Sequence, residues 1–163
     1  MTRLHSIIGL GISVGLCFGA AFVGSIFTTP AIPGWYAALI KPSWTPPAWV
    51  FGPVWSILYL MMALAAWLVW RQAGRTAVVT PLMLFFVQLA LNTSWSILFF
   101  GLRMPGAAFA EILVLWLAIL ATMIAFWRST SPAGLLLLPY LVWVTFAAWL
   151  NFTIWRMNAG GPG

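Results

Sequence analysis

The residues best suited to chemistry recur at helical spacing on three stretches of the chain. Gln88, Asn92, Trp95 and Phe99 stand at offsets 0, 4, 7 and 11, one face of a helix. Tyr140, Trp143, Ala147 and Leu150 stand at offsets 0, 3, 7 and 10, and Trp55 and Tyr59 form an i,i+4 pair. Indoles, phenols and two amides suit binding better than bond-making. Aromatic faces stack on a flat apolar molecule, and amides orient it through hydrogen bonds. Three such faces would enclose a flat cavity. The competing reading is structural, because aromatic stripes also fill helix interfaces and amides also bond across them.

Other chemistries lack their residues. The 163 residues hold one His, one Cys and one acid, Glu111. That set supplies neither a protein metal cage nor a Ser-His-Asp triad, and paired-carboxylate hydrolysis is excluded as well. No metal site is expected. His5 is open to two readings, a haem ligand or an interfacial polar residue. Cys17 has no partner for an intrachain disulfide and reads as a small packing residue. Glu111, about one turn into an apolar stretch, reads as a snorkelling end-group, a partner for Arg103, or a proton-sensitive ligand contact.

The elements that would carry these faces are membrane helices. Hydrophobic residues make up 64% of the chain and charged ones 5%, with twelve tryptophans; soluble domains run to about 45–50% apolar and 25% charged. Five stretches reach the roughly 20 apolar residues that a bilayer-spanning helix needs. They cover 6–27, 50–70, 79–100, 106–127 and 134–155. The expectation is an all-α integral membrane protein, a five-transmembrane-helix bundle forming a single domain over 1–163. The first stretch is longer than a signal-peptide core and reads as a retained helix.

Charge adds orientation. The net charge is +6, but the basic residues are scattered, so no nucleic-acid patch forms. Arg3, Arg71, Arg75, Arg103, Arg128 and Arg156 fall at or near expected helix ends, where snorkelling anchors them. Arg3, Arg71, Arg75 and Arg128 share one side, against Lys41, Arg103 and Arg156 on the other. The bias places the N-terminus in the cytoplasm.

Prolines mark the helix starts: Pro53, Pro81, Pro105 and Pro132. Pro139 lies inside the fifth span and should bend it. The longest connection, 28–49, holds several prolines and aromatics, with a short interfacial helix expected near its middle. It reads as a lid over the bundle mouth or as an interfacial anchor. Gly11, Gly15 and Gly19 align along one face of the first span. Intramolecular packing and dimerisation both account for that stripe.

The stretch Trp35-Tyr36-Ala37-x-Leu39-x-Lys41-Pro42-Ser43-Trp44-x-Pro46-Pro47-x-Trp49-Val50-Phe51-Gly52-Pro53-Val54-Trp55 closely resembles the signature of the TspO/MBR family. That family takes in the translocator protein, once called the peripheral benzodiazepine receptor, and bacterial tryptophan-rich sensory proteins. Gln88-Leu89-Ala90-Leu91-Asn92 with Trp95, Phe99-Phe100-Gly101, Pro139-Tyr140-Leu141-x-Trp143, Leu150-Asn151-Phe152 and Trp155-Arg156 extend the resemblance from about Val23 to Arg156. It implies five transmembrane helices, a homodimer, and a pocket beneath the first loop for porphyrin or haem as ligand rather than as an obligatory cofactor. The same pocket would accept benzodiazepine-type and isoquinoline-carboxamide ligands. By match, its residues are Tyr36, Pro46, Trp55, Tyr59, Gln88, Asn92, Trp95, Trp143, Ala147 and Leu150. Some bacterial members are reported to promote light-dependent breakdown of protoporphyrin, with residues matching Trp55 and Trp143 implicated.

Two positions depart from the family pattern. Phe152 stands between Leu150 and Arg156 where the animal cholesterol motif needs a Tyr, and Ala107 stands where animal members carry a Trp. The expected function is a tetrapyrrole-binding membrane sensor or regulator. The alternatives are a transporter of porphyrin or lipid and a light-dependent porphyrin-degrading protein. The absence of an evident inverted repeat or intramembrane charge relay argues against an ion-coupled pump.

Overall fold

A computed structural model describes residues 3–74 and 76–160. Arg75 and the side chain of Arg3, both placed at helix ends above, lie outside the described residues. The described residues form five α-helices: α1 (Arg3–Ala31), α2 (Ala48–Trp70), α3 (Val79–Ser96), α4 (Pro105–Ser129) and α5 (Ser131–Asn158). Each is long and apolar enough to cross a bilayer. Large apolar side chains such as Ile12, Phe22, Leu117 and Val142 point outward. Polar side chains such as Ser13, Thr28, Thr93 and Thr122 bond back to the carbonyl four residues earlier. The protein is a multi-pass integral membrane protein: lipid-facing spans must pair their backbone groups internally, which is what helices of this length provide.

The helices pack around a core that α2 and α5 dominate, with Met62, Ala63 and Ala65 of α2 and Tyr140 and Val144 of α5 buried. At one end of the bundle α1 lies tightly on α2. The Trp67 indole N–H donates to the Ser6 carbonyl at 2.8 Å, and a Cβ at Gly9 would fall within the Trp70 ring. The glycines expected to mediate close contact are not the ones that do. A Cβ at Gly11, Gly15 or Gly19 would meet nothing within 4 Å, so packing within the chain does not explain that stripe.

The first connection is shorter than expected. Helical structure continues past Ala31 through a π turn, Ile32–Tyr36, and on to residue 38. Only 39–47 lack helix, and the expected separate interfacial helix is the end of the first span itself. Pro30 and Pro33 face outward and do not end the helix. The π turn falls where these prolines interrupt the regular i→i−4 ladder. The inner face of this extension is held by aromatic packing, Trp35 on Phe99 at 5.6 Å and Tyr36 on Phe100 at 5.7 Å. Those partners sit on a second π turn, Ile97–Gly101, which ends α3. Arg103, at φ 57°, then reverses the chain into α4. Pro139 lies within α5, which stays helical from Ser131 to Asn158.

Candidate functional site

Opposite the tight α1–α2 end the two helices splay, and a cavity of about 440 Å³ opens between them. Pockets for drug-sized molecules span about 300–1,000 Å³, so this one holds a substantial ligand. Its inner wall comes from α3 and α5: Asn92, Trp95, Phe99, Trp143, Ala147 and Leu150. Trp55 and Tyr59 of α2 and Tyr36 at the end of the first span complete it. Eight of the ten residues named from sequence therefore meet around one space. The lining residues that are exposed, Phe18, Ser25 and Thr29 of α1 and Ala48, Trp49, Gly52 and Ser56 of α2, all border the gap between those two helices. The cavity thus opens sideways, toward the bilayer.

Pro46 and Gln88 do not line it. Pro46 lies in the 39–47 segment, above the cavity wall. Gln88 shares a helix face with Asn92 but sits one turn deeper, 1% exposed, with both amide atoms lacking a hydrogen-bond partner. Tyr140 packs behind the wall. Its hydroxyl accepts a 2.8 Å bond from the Asn92 amide, and its ring stands edge-on to Trp55 at 6.1 Å. The amide and aromatic faces are therefore partly structural, as the competing reading held. Asn92 serves both roles, bonded to Tyr140 and facing the cavity.

The aromatic walls are braced rather than free. Trp95 stacks on Phe99 at 5.2 Å, and its N–H donates to Asn151 at 3.0 Å. Asn151 in turn donates to the Pro105 carbonyl at 2.7 Å, tying three helix ends to one side chain. Trp143 rests against Phe51 at 5.9 Å and Phe146 at 5.4 Å. Such contacts hold the indoles in fixed planes, which lowers the ordering cost of stacking on a ligand.

Above the cavity the 39–47 segment is tied at both sides. Lys41 donates to the carbonyls of Tyr36, Ala37 and Leu39 at 2.7, 3.1 and 2.9 Å. It caps carbonyls at the end of the first span, where a cation is favoured. Asn158, at the end of α5, forms a reciprocal pair with Ile40: Ile40 N–H donates to its oxygen at 3.0 Å, and its amide donates to the Ile40 carbonyl at 2.9 Å. Trp44 then lies edge-on to Phe146 at 5.9 Å.

Sequence reasoning missed the α1 contribution and Asn158. Phe18, Ala21, Ser25, Thr28 and Ile32 line the cavity at offsets 0, 3, 7, 10 and 14. That spacing is readable in the sequence, but Pro30 and Pro33 point to a loop over its last part. His5 lies in the first turn of α1, thirteen residues before Phe18, so about 20 Å separates it from the cavity's nearest α1 residue. It cannot be an axial ligand there. The carboxyl oxygens of Glu111 are buried without a hydrogen-bond partner, so it is neither a snorkelling end-group nor bonded to Arg103.

Comparison with known proteins agrees with this architecture. The model of the TspO/MBR family matches residues 13–156. The chain belongs to the TspO/MBR family. It is 46% identical over 156 residues to the tryptophan-rich protein TspO of Chlorobaculum tepidum, spanning 93% of this chain and 97% of that protein. It is 44% identical over 144 residues to the human translocator protein, spanning 87% of this chain and 85% of that one. The tryptophan-rich protein TspO of Archaeoglobus fulgidus is 41% identical over 154 residues, at 94% and 99% coverage. The matched family region begins at Ser13 and so takes in every cavity-lining residue.

Proposed function

We propose that the protein is a membrane-embedded sensor or regulator that binds a flat tetrapyrrole, protoporphyrin or haem, in this cavity. The observation that carries the reading is the wall itself. Trp55, Trp95 and Trp143 present braced indole faces around one space, and the Asn92 amide is set among them. Tyr36, Tyr59, Ala147 and Leu150 fill out the binding surface. Pro46 acts from the overlying segment and Gln88 from behind Asn92. Benzodiazepine-type and isoquinoline-carboxamide molecules, also flat and apolar, suit the same walls. The 39–47 segment acts as the lid, within a single domain.

Protoporphyrin titrated against intrinsic Trp fluorescence tests this. Saturable quenching is expected. Aromatic pairs contribute about 0.5–1.5 kcal/mol each, so Trp55→Phe with Trp143→Phe should weaken binding about tenfold. Unchanged affinity in a folded double variant would remove those two indoles from the site.

A photochemical role has one observation in its favour: Trp55 and Trp143 face the same cavity, where an excited porphyrin would meet both indoles. Illuminated turnover with and without oxygen separates it from simple binding. A homodimer fits the outward Gly11, Gly15 and Gly19 stripe, and native mass spectrometry would read the copy number and any retained ligand together. With the N-terminus in the cytoplasm, the cavity lies in the half of the bundle nearer the opposite side of the membrane; labelling single cysteines from each side tests that orientation.

A further inference from the structure

Three hydroxyls on the cavity wall are left with hydrogen bonds to give. Of the chain's three tyrosines, Tyr140 is sealed behind the wall, and its oxygen accepts the Asn92 amide. Tyr36 and Tyr59 line the cavity, 9% and 6% exposed, and neither hydroxyl has a hydrogen-bond partner among the described residues. Their oxygens are not sealed as the Gln88 amide is, so the open space they meet is the cavity. Ring packing fixes both phenols: Tyr59 lies 5.7 Å from Trp55, and Tyr36 lies 5.7 Å from Phe100. Ser96, also on the wall, is the third. Its neighbours Thr93 and Ser94, and Thr28 and Ser56 on the facing helices, donate to a carbonyl one turn back. The Ser96 hydroxyl makes no such bond among the described residues. It lies against Gly24 of α1, 3.3 Å from where a Cβ there would stand.

The wall offers these donors few acceptors. Asn151 is committed to Trp95 and to the Pro105 carbonyl, and Asn92 is bonded to Tyr140. A buried donor without an acceptor is costly, so acceptor atoms on the edge of a bound molecule are favoured there. Charge sets the second condition. Among the described residues, no Asp, Glu, Lys, Arg or His lines the cavity. Lys41, at the mouth, already donates to three carbonyls. An ionised carboxylate drawn inside would meet no cation, and burying an unpaired charge costs far more than burying an unpaired hydroxyl or amide. The opening faces the bilayer, from which uncharged molecules arrive.

We propose that the cavity selects an uncharged flat molecule with carbonyl-type acceptors on its edge, and that Tyr36, Tyr59 and Ser96 donate to those acceptors. For a tetrapyrrole this means an ester, or a diacid that leaves its carboxylates at the sideways opening. The proposal narrows the ligand class of the tetrapyrrole reading above and rests on the same cavity. Full-length protein in phosphatidylcholine nanodiscs would be titrated with matched probes, each corrected for partitioning into empty discs. Protoporphyrin dimethyl ester carries ester carbonyls, octaethylporphyrin carries only alkyl groups, and protoporphyrin is the ionised diacid. A hydrogen bond contributes about 2- to 10-fold in affinity, so the ester should bind tighter than octaethylporphyrin by at least that much. The diacid at neutral pH should bind more weakly than the ester. Combining Tyr36→Phe, Tyr59→Phe and Ser96→Ala removes only hydroxyls. It should bring the ester down to octaethylporphyrin and leave octaethylporphyrin unchanged.

A second pair, 2-acetylanthracene and 2-ethylanthracene, differs by one carbonyl on a smaller flat body. The unaltered protein should prefer the ketone, and the ketone's carbonyl stretch should move to lower frequency on binding. Both effects should vanish in the combined variant. The preferences in the unaltered protein decide the matter even if that variant fails to fold. Equal affinity within both pairs would overturn the proposal, as would a carbonyl preference that persists in a folded combined variant. Diacid binding as tight as the ester's would overturn the exclusion of charge. If no porphyrin binds while the ketone is preferred, the ligand class stands and the tetrapyrrole reading falls.

Discussion

Removing the Asn158 side chain should speed ligand release without disturbing the bundle. Its amide holds the first connection to α5 through paired hydrogen bonds, 3.0 Å from Ile40 N–H and 2.9 Å to the Ile40 carbonyl. Both bonds lie at the exposed end of the molecule, where water replaces a lost partner at little cost. A typical hydrogen bond contributes about 0.5–1.5 kcal/mol net. At the low end of that range the pair amounts to about 1 kcal/mol, or roughly a fivefold shift in an equilibrium constant. In Asn158→Ala the 39–47 segment should therefore open about five times more often, and protoporphyrin should dissociate about five times faster. Asn158→Asp keeps the acceptor for Ile40 N–H and loses the donor, so it should show roughly half the effect in free-energy terms. Stopped-flow recovery of Trp fluorescence after mixing with excess competitor reads the rate directly. Lys41 still caps the first span in either variant, so helix content should not change. An unchanged dissociation rate in Asn158→Ala would show that the segment does not gate the cavity.

Four further outcomes follow from the packing. A Cβ at Gly134 would lie 2.8 Å from the Trp127 Cβ and 2.9 Å from its backbone, so Gly134→Ala should destabilise the bundle by about 1–3 kcal/mol. Gly11→Ala, where the space is open, should leave the melting temperature of detergent-solubilised monomer unchanged. Asn151→Leu strands the Trp95 N–H and removes the tie from α5 to the Pro105 carbonyl; an unpaired buried donor costs about 1–3 kcal/mol, so thermal unfolding should shift below that of the unaltered protein. Gly52→Phe places a ring at the sideways opening, where nothing lies within 4 Å of a new Cβ, and should slow ligand association more than dissociation. An unchanged association rate would place the entry route elsewhere.

What the sequence determined by itself follows from solvent. A chain with 64% hydrophobic residues and one acid cannot face water, and in lipid the backbone must pair within each span. Five long apolar stretches thus specify five helices, and spacings of three and four specify which residues share a face. The Gln88–Phe99, Tyr140–Leu150 and Trp55–Tyr59 faces were legible for that reason. Helical periodicity does not tell how deep a residue on a face will lie. Gln88 and Asn92 share a face, yet only Asn92 reaches the cavity, because Gln88 lies one turn farther along α3 from the end where the helices part. Proline chemistry pointed to a loop from residue 28, whereas aromatic contacts with Phe99 and Phe100 hold that segment in helix through Tyr36. The Asn158–Ile40 pair spans 118 positions, and nothing local in either segment announces it. Local geometry set the elements and their faces; depth, the extent of the first helix and the ties across the mouth were decided by which distant side chains filled the remaining space.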